Sequence, residues 1–201
     1  MRELKLNDNG RISAEYAKNR LVGGLNRWYS FDNGMLDLIG NTTNNGGNIR
    51  YFPIVIPRPV LIDSATMNVS TALTGGTFRI GIYDNAVVDN KSVPNNRIID
   101  MGEQPLTAGI KTFPISPFAI NDGFYWVAVA PSGNTGFSGV VTKATGYKVL
   151  GTSTFVTNAD LCLTETFTYA SMVNGELPLI ANPNAFDTRY MLTLFRVINF
   201  L

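Results

Sequence analysis

The stretch GFYWVAVA, Gly123 to Ala130, decides the fold. Successive side chains of a strand point to opposite faces. Phe124, Trp126 and Ala128 therefore share one face, and Tyr125, Val127 and Val129 share the other. Both sets are apolar, so the stretch reads as a strand buried on both faces, with Trp126 packed in a core. Pro131-Ser132-Gly133-Asn134 then turns the chain.

Working back from this strand, Gly109–Ile115 and Arg97–Met101 read as short strands, and Asp84–Asn96 as a polar loop carrying Pro94. Thr77–Tyr83 places Phe78, Ile80 and Ile82 on one face. Thr74-Gly75-Gly76 reads as the hairpin turn that joins it to Val60–Ala72. There Leu61, Asp63, Ala65, Met67 and Val69 alternate with Ile62, Ser64, Thr66, Asn68 and Ser70, the period of a half-buried strand. Tyr51–Ile56 is a strand stopped by Pro57 and Pro59. Downstream, residues 135–181 hold weaker strands and long loops, and Asp187–Ile198 reads as one long closing strand. Frequent Gly, Pro and Asn between short strands predict an all-β, antiparallel sandwich, with a jelly roll as the expected topology.

Composition narrows the function. The 201 residues are 45% hydrophobic, enough for a substantial core, but only 15% charged, against about 25% for an average soluble domain. Asn, Thr, Ser and Gly must coat the surface instead. A net charge of +1 without a basic run argues against a nucleic-acid partner. The absence of histidine removes the commonest general base and the commonest transition-metal ligand. Cys162, the single cysteine, lies between Leu161 and Leu163 and reads as a small buried hydrophobe, without an imidazole to activate it. No catalytic residue, cofactor or metal is assigned. No stretch approaches the ~20 apolar residues of a membrane span, and the N-terminus lacks the apolar core of a signal peptide. The expectation is a protein made in the cytoplasm that stays there or leaves inside something larger.

Residues 1–48 differ in texture from the sandwich expected over 49–201. Ser13 to Leu25 is the helix-compatible window, with Ser13 as a cap and Gly23-Gly24 as a stop. Trp28, Tyr29 and Phe31 form an aromatic cluster, followed by the turn-rich Gly40–Asn48. Two readings stand side by side: a strand and loop that close the sandwich, or a docking arm in which Trp28, Tyr29 and Phe31 make assembly contacts.

The order of segments FPIVIPRPVLIDSATMNVSTALTGGTFRIGIYDN (52–85), IIDMGEQPLTAGIKTFPISPFAINDGFYWVAVA (98–130), FTYASMVNGELP (167–178) and RYMLTLFRV (189–197) resembles a β-sandwich module of tailed-bacteriophage structural proteins. The resemblance runs from about Ile49 to Val197 and rests on the ordered set, no motif in it being specific alone. It implies a virion component made in the host cytoplasm. Its partners would be other virion proteins of the capsid or tail, its own copies in a homotrimer, and in some such modules a host-surface glycan. It carries no catalytic residues. The chain lacks the repetitive shaft of fibre proteins, which favours a compact capsid-decoration, cement or head-spike role over a tail-fibre or baseplate domain.

Other constellations are weaker. Most carboxylates sit in turns, where Asx geometry explains them, and no spacing marks the opposed pair a glycosidase needs. Asp84, Asn85, Asp89 and Asn90 fall in one expected loop and offer hard-cation oxygens, but without EF-hand spacing. The paired glycines lack the context of a phosphate loop. A glycan platform would draw on loop aromatics, for which Phe137, Tyr147 and Tyr169 are the candidates.

Overall fold

A computed structural model describes residues 24–31, 39–44, 46–140, 162–187 and 189–201. These residues form two antiparallel sheets packed as a sandwich. Sheet I has seven strands: β1 (Arg27–Tyr29), β2 (Ile39–Asn44), β4 (Val60–Thr71), β7 (Gly109–Ile120), β9 (Thr135–Val140), β12 (Tyr190–Met191) and β13 (Leu194–Phe200). Sheet II has six: β3 (Asn48–Ile56), β5 (Thr77–Val88), β6 (Lys91–Pro105), β8 (Gly123–Pro131), β10 (Cys162–Thr166) and β11 (Ala185–Asp187). The helical content among the described residues is two short 3-10 turns, at Tyr169–Ser171 and Val173–Gly175. No helix among them is long and apolar enough to cross a membrane.

Between β2 and β9 the pairing is β2-β9-β4-β7 in sheet I and β3-β8-β5-β6 in sheet II. The chain changes sheet at every step of that run except the β5–β6 hairpin, and this crossing stacks the two sheets face to face. Ile62, Met67 and Phe113 from sheet I meet Ile54, Ile80 and Val127 from sheet II in the main core. Phe78 sits at its centre, edge-on to Phe113 and Phe137 at centroid distances of 5.2 and 5.0 Å. Burying each such side chain contributes about 1.5–3 kcal/mol before entropy is counted.

The decisive strand β8 is covered on both sides. Val127 and Val129 enter the main core, while Trp126, Ala128 and Ala130 enter a second one on the outer face of sheet II. Strand β3 runs beside it and carries Pro53 at its middle, opposite Trp126. A proline there is tolerated because β10 pairs with β3 only as far as Tyr51, so no ladder donor is needed on that flank at position 53. Further along the same strand the Val55 N–H donates to the Phe31 carbonyl (2.9 Å).

Several local expectations change once pairing is known. Thr74-Gly75-Gly76 is not a hairpin but an arch between sheets, since β4 belongs to sheet I and β5 to sheet II. It is clamped by Leu73 N–H to Leu106 O and Leu106 N–H to Gly76 O, each 2.9 Å. The strict alternation of β4 breaks at a bulge between Ile62 and Ser64. Val60 and Ile62 face the core, then Ala65, Met67 and Val69 do. Leu61 and Asp63 are thereby turned away from Ala65's face, and Arg196 Nε donates to Asp63 Oδ1 at 2.7 Å. That guanidinium holds the Asp63 carboxyl below its usual range. The polar stretch Asp84–Asn96 is mostly strand, closed by Asp89 and Asn90 at φ 50° and 60° as a two-residue turn of the mirror-image type. The expected closing strand is split: β11 lies in sheet II, and β12 and β13 in sheet I.

The described parts of residues 1–48 belong to the sandwich. β1 pairs with β13 and β2 with β9, and Phe31 is buried against Phe195. The window Ser13–Leu25 falls outside the described residues except for Gly24 and Leu25.

Candidate functional site

The outer face of sheet II would present Ile49, Tyr51, Tyr83 and Trp126 to water if nothing lay on it. Residues 167–184 cover it as a broad loop whose ends meet, because β10 and β11 on either side of it pair with each other. The loop's own sequence explains why it lies flat. Phe167, Met172, Leu177 and Ala181 supply apolar contacts at irregular spacing, and Asn174-Gly175, both at positive φ, turn it back.

Polar groups fix it in register. The Tyr83 hydroxyl donates to the Pro178 carbonyl (2.5 Å), and the Leu177 N–H to Asp100 Oδ2 (2.7 Å). Arg97 donates to the Leu177 carbonyl and pairs with Glu176 (2.6 Å). The Arg97 N–H donates to Leu179 O and the Ala181 N–H to Asn95 O, both at 2.8 Å, so the loop also caps the edge of β6. Glu165, buried in β10, accepts from the Tyr51 hydroxyl (2.6 Å) and the Asn182 N–H (2.8 Å) on the same oxygen. Burial, then the neighbouring Tyr83 and the bond to Glu165, pushes the Tyr51 hydroxyl far above its usual pKa. Burial likewise raises Tyr83. Both phenols are neutral donors at any physiological pH.

Between the two limbs of the loop lies a cavity of about 370 Å3. Phe167, Met172, Leu177, Pro178 and Leu179 make its apolar wall, and Arg97 and Glu176 stand among its polar residues. Asp100 is tied to Arg79 (2.9 Å) and to the N–H groups of Gly102 and Leu177 (both 2.7 Å). The carboxylates around the cavity are thus engaged in holding the loop.

The residues singled out from sequence are dispersed. Trp28 is 40% exposed on the outer face of sheet I, opposite Arg196 across the β1–β13 pair. Tyr29 is half-buried at the edge of the core, stacked on Phe31 with its hydroxyl on the Gly24 carbonyl. Phe31 is buried and cannot make an external contact without unfolding its surroundings. Phe137, expected on a loop, is fully buried in β9 against Phe78, so it is unavailable to a glycan. Tyr147 lies outside the described residues. Tyr169 is half-buried on the covering loop, its hydroxyl donating to Glu103 (2.6 Å) and accepting from Thr77 (3.2 Å). Cys162 is buried, as a strand residue between leucines should be. Asp84 accepts from the Asn96 backbone and side chain, and Asn85 accepts from the Trp126 indole, while Asp89 and Asn90 are at the hairpin tip. Sequence reasoning passed over Arg97, Asp100, Glu165 and Leu177. The one available signal was the doubly apolar β8, which requires a cover on its second face.

No protein-family model matches the chain, and no curated protein matches it. Among solved structures, a clostridial cysteine protease after propeptide cleavage superimposes with a TM-score of 0.45 at 9% identity. The match covers 84% of this chain and 39% of that one. At that level the likeness fixes neither topology nor activity.

Proposed function

We propose that the chain is a non-enzymatic structural module of a bacteriophage particle, a capsid-decoration, cement or head-spike protein that binds neighbouring subunits. We read the β2-β9-β4-β7 and β3-β8-β5-β6 orders as a jelly roll with added strands. The observation that carries the functional reading is how the side chains are distributed. Ionisable groups around the loop cavity are spent on internal pairs, while Trp28, Ile110, Leu179 and Ile180 stand exposed on a rigid frame with two cores. Large apolar side chains held outward on a rigid β frame are contact surface. Low charge lets such surfaces pack without desolvating many ions.

The test is to add the purified chain to particles that lack it and sediment the mixture. It should co-sediment at a fixed ratio of chains to particles and saturate. A chain that stays in the supernatant at every concentration would falsify the assignment.

A further inference from the structure

Surface loops whose ends meet are packed by their own side chains. The 167–184 loop leaves a cavity of about 370 Å3 between its limbs, while Leu179 and Ile180 stay 70% and 65% exposed. The limb that walls the cavity cannot collapse inward, because it is pinned at consecutive residues. The Leu177 N–H donates to Asp100 Oδ2, and the Leu177 carbonyl accepts from the Arg97 side chain. Tyr83 donates to the Pro178 carbonyl and the Arg97 N–H to that of Leu179. On the facing limb Tyr169 is fixed by Glu103 and Thr77. Apolar space held open by polar ties that a ligand need not rearrange is preorganised for binding. Its volume falls among those of ordinary small-molecule pockets, about 300–1,000 Å3.

The charges select among ligands. Arg97 is the cation among the described lining residues, and it is committed: it serves the Leu177 carbonyl, pairs with Glu176 at 2.6 Å and lies 3.7 Å from Asp100. An anion entering the cavity finds no cation to spare there and meets the Glu176 carboxylate. A cation would lose its hydration against the apolar wall beside Arg97. Glu176 engages Arg97 through Oε2, which leaves Oε1 to accept from a ligand N–H or O–H.

We propose that the loop cavity binds a small, uncharged, mainly apolar molecule, of the class of aryl amines, phenols and alcohols, whose N–H or O–H donates to Glu176. The site belongs to the single chain, so its test needs no particle and its failure leaves the assembly reading untouched.

The probe is N-phenyl-1-naphthylamine, which is uncharged, carries one N–H and brightens in apolar surroundings. Its counterpart, 8-anilino-1-naphthalenesulfonate, is the same body with an anion added. Titrated into the full chain, the amine should saturate one site per chain and bind at least about tenfold tighter than the sulfonate. Leu179→Asp places a charge on the wall from a 70% exposed position and should weaken the amine at least about tenfold. Ile110→Asp, at a 74% exposed residue of sheet I, should leave it unchanged. Glu176→Gln removes the repelling carboxylate, so the preference for amine over sulfonate should shrink at least about threefold. In the parent chain, bound amine should slow hydrogen exchange in residues 171–179. Absence of saturable amine binding overturns the proposal, as does a sulfonate that binds as tightly as the amine. So do a preference that survives Glu176→Gln intact, a loss in Ile110→Asp equal to that in Leu179→Asp, and protection that spares residues 171–179.

Discussion

Replacing Tyr51 by Phe removes one oxygen from the middle of the second core and leaves the ring in place. That oxygen donates at 2.6 Å to Glu165 Oε2, which otherwise receives only the Asn182 N–H at 2.8 Å among its described partners. Glu165 is 9% exposed, so water cannot take over freely. A hydrogen bond to a charged group contributes about 1.5–3 kcal/mol, and its loss in a buried site falls in that range. For a chain of this size each kcal/mol moves the melting temperature by about 2–4 °C, which gives an expected drop of about 3–12 °C. Tyr83→Phe is the control. Its hydroxyl serves the neutral Pro178 carbonyl, a bond worth about 0.5–1.5 kcal/mol, so it should cost less than Tyr51→Phe. Urea denaturation at neutral pH measures both. In a Glu165→Gln background the cost of Tyr51→Phe should shrink, because the acceptor is no longer an ion. If Tyr51→Phe is as stable as the parent, or costs the same in the Glu165→Gln background as beside the native carboxylate, the account of the loop's anchorage is wrong.

Three further outcomes follow from named contacts. A Cβ at Gly81 would stand 2.7 Å from both the Ile99 carbonyl oxygen and Leu177 Cδ1; Gly81→Ala should cost about 1–3 kcal/mol and speed hydrogen exchange in residues 176–181, with unchanged exchange refuting the seat of Leu177. Phe31→Ala should cost about 3–5 kcal/mol in chemical denaturation, because Phe31 is buried against Phe195; a cost under about 1 kcal/mol would make the segment an appendage after all. Stability should fall as pH rises above about 10, since the unfolded chain releases the Tyr51 and Tyr83 protons there while the folded chain retains them, their folded pKa values being raised. Melting curves against pH, with tyrosinate absorbance as the second probe, check this: ionisation of these phenols ahead of unfolding would contradict it.

What the sequence alone determined is what a strand's own periodicity encodes. The doubly apolar β8 and the one-sided β5 were legible because alternation is a local property of consecutive residues, and so was the buried setting of Trp126 and Cys162. The all-β class followed from the same signal. Only the tertiary structure decided which strands share a sheet. Thr74-Gly75-Gly76 has the chemistry of a hairpin and serves as an arch, because turn residues specify a reversal and not the partner that the next strand will find. The bulge in β4 has no local signature for a related reason: it is set by the ladders to β7 and β13, far off in sequence, and it moves Asp63 round to Arg196. Phe137 looked like a loop residue because its neighbours are Gly and Ser, yet long-range pairing makes them a strand. The candidate site is the extreme case, since Glu165, Arg97, Asp100 and Leu177 meet only after β10, β6 and the 167–184 loop are brought together across the outer face of one sheet.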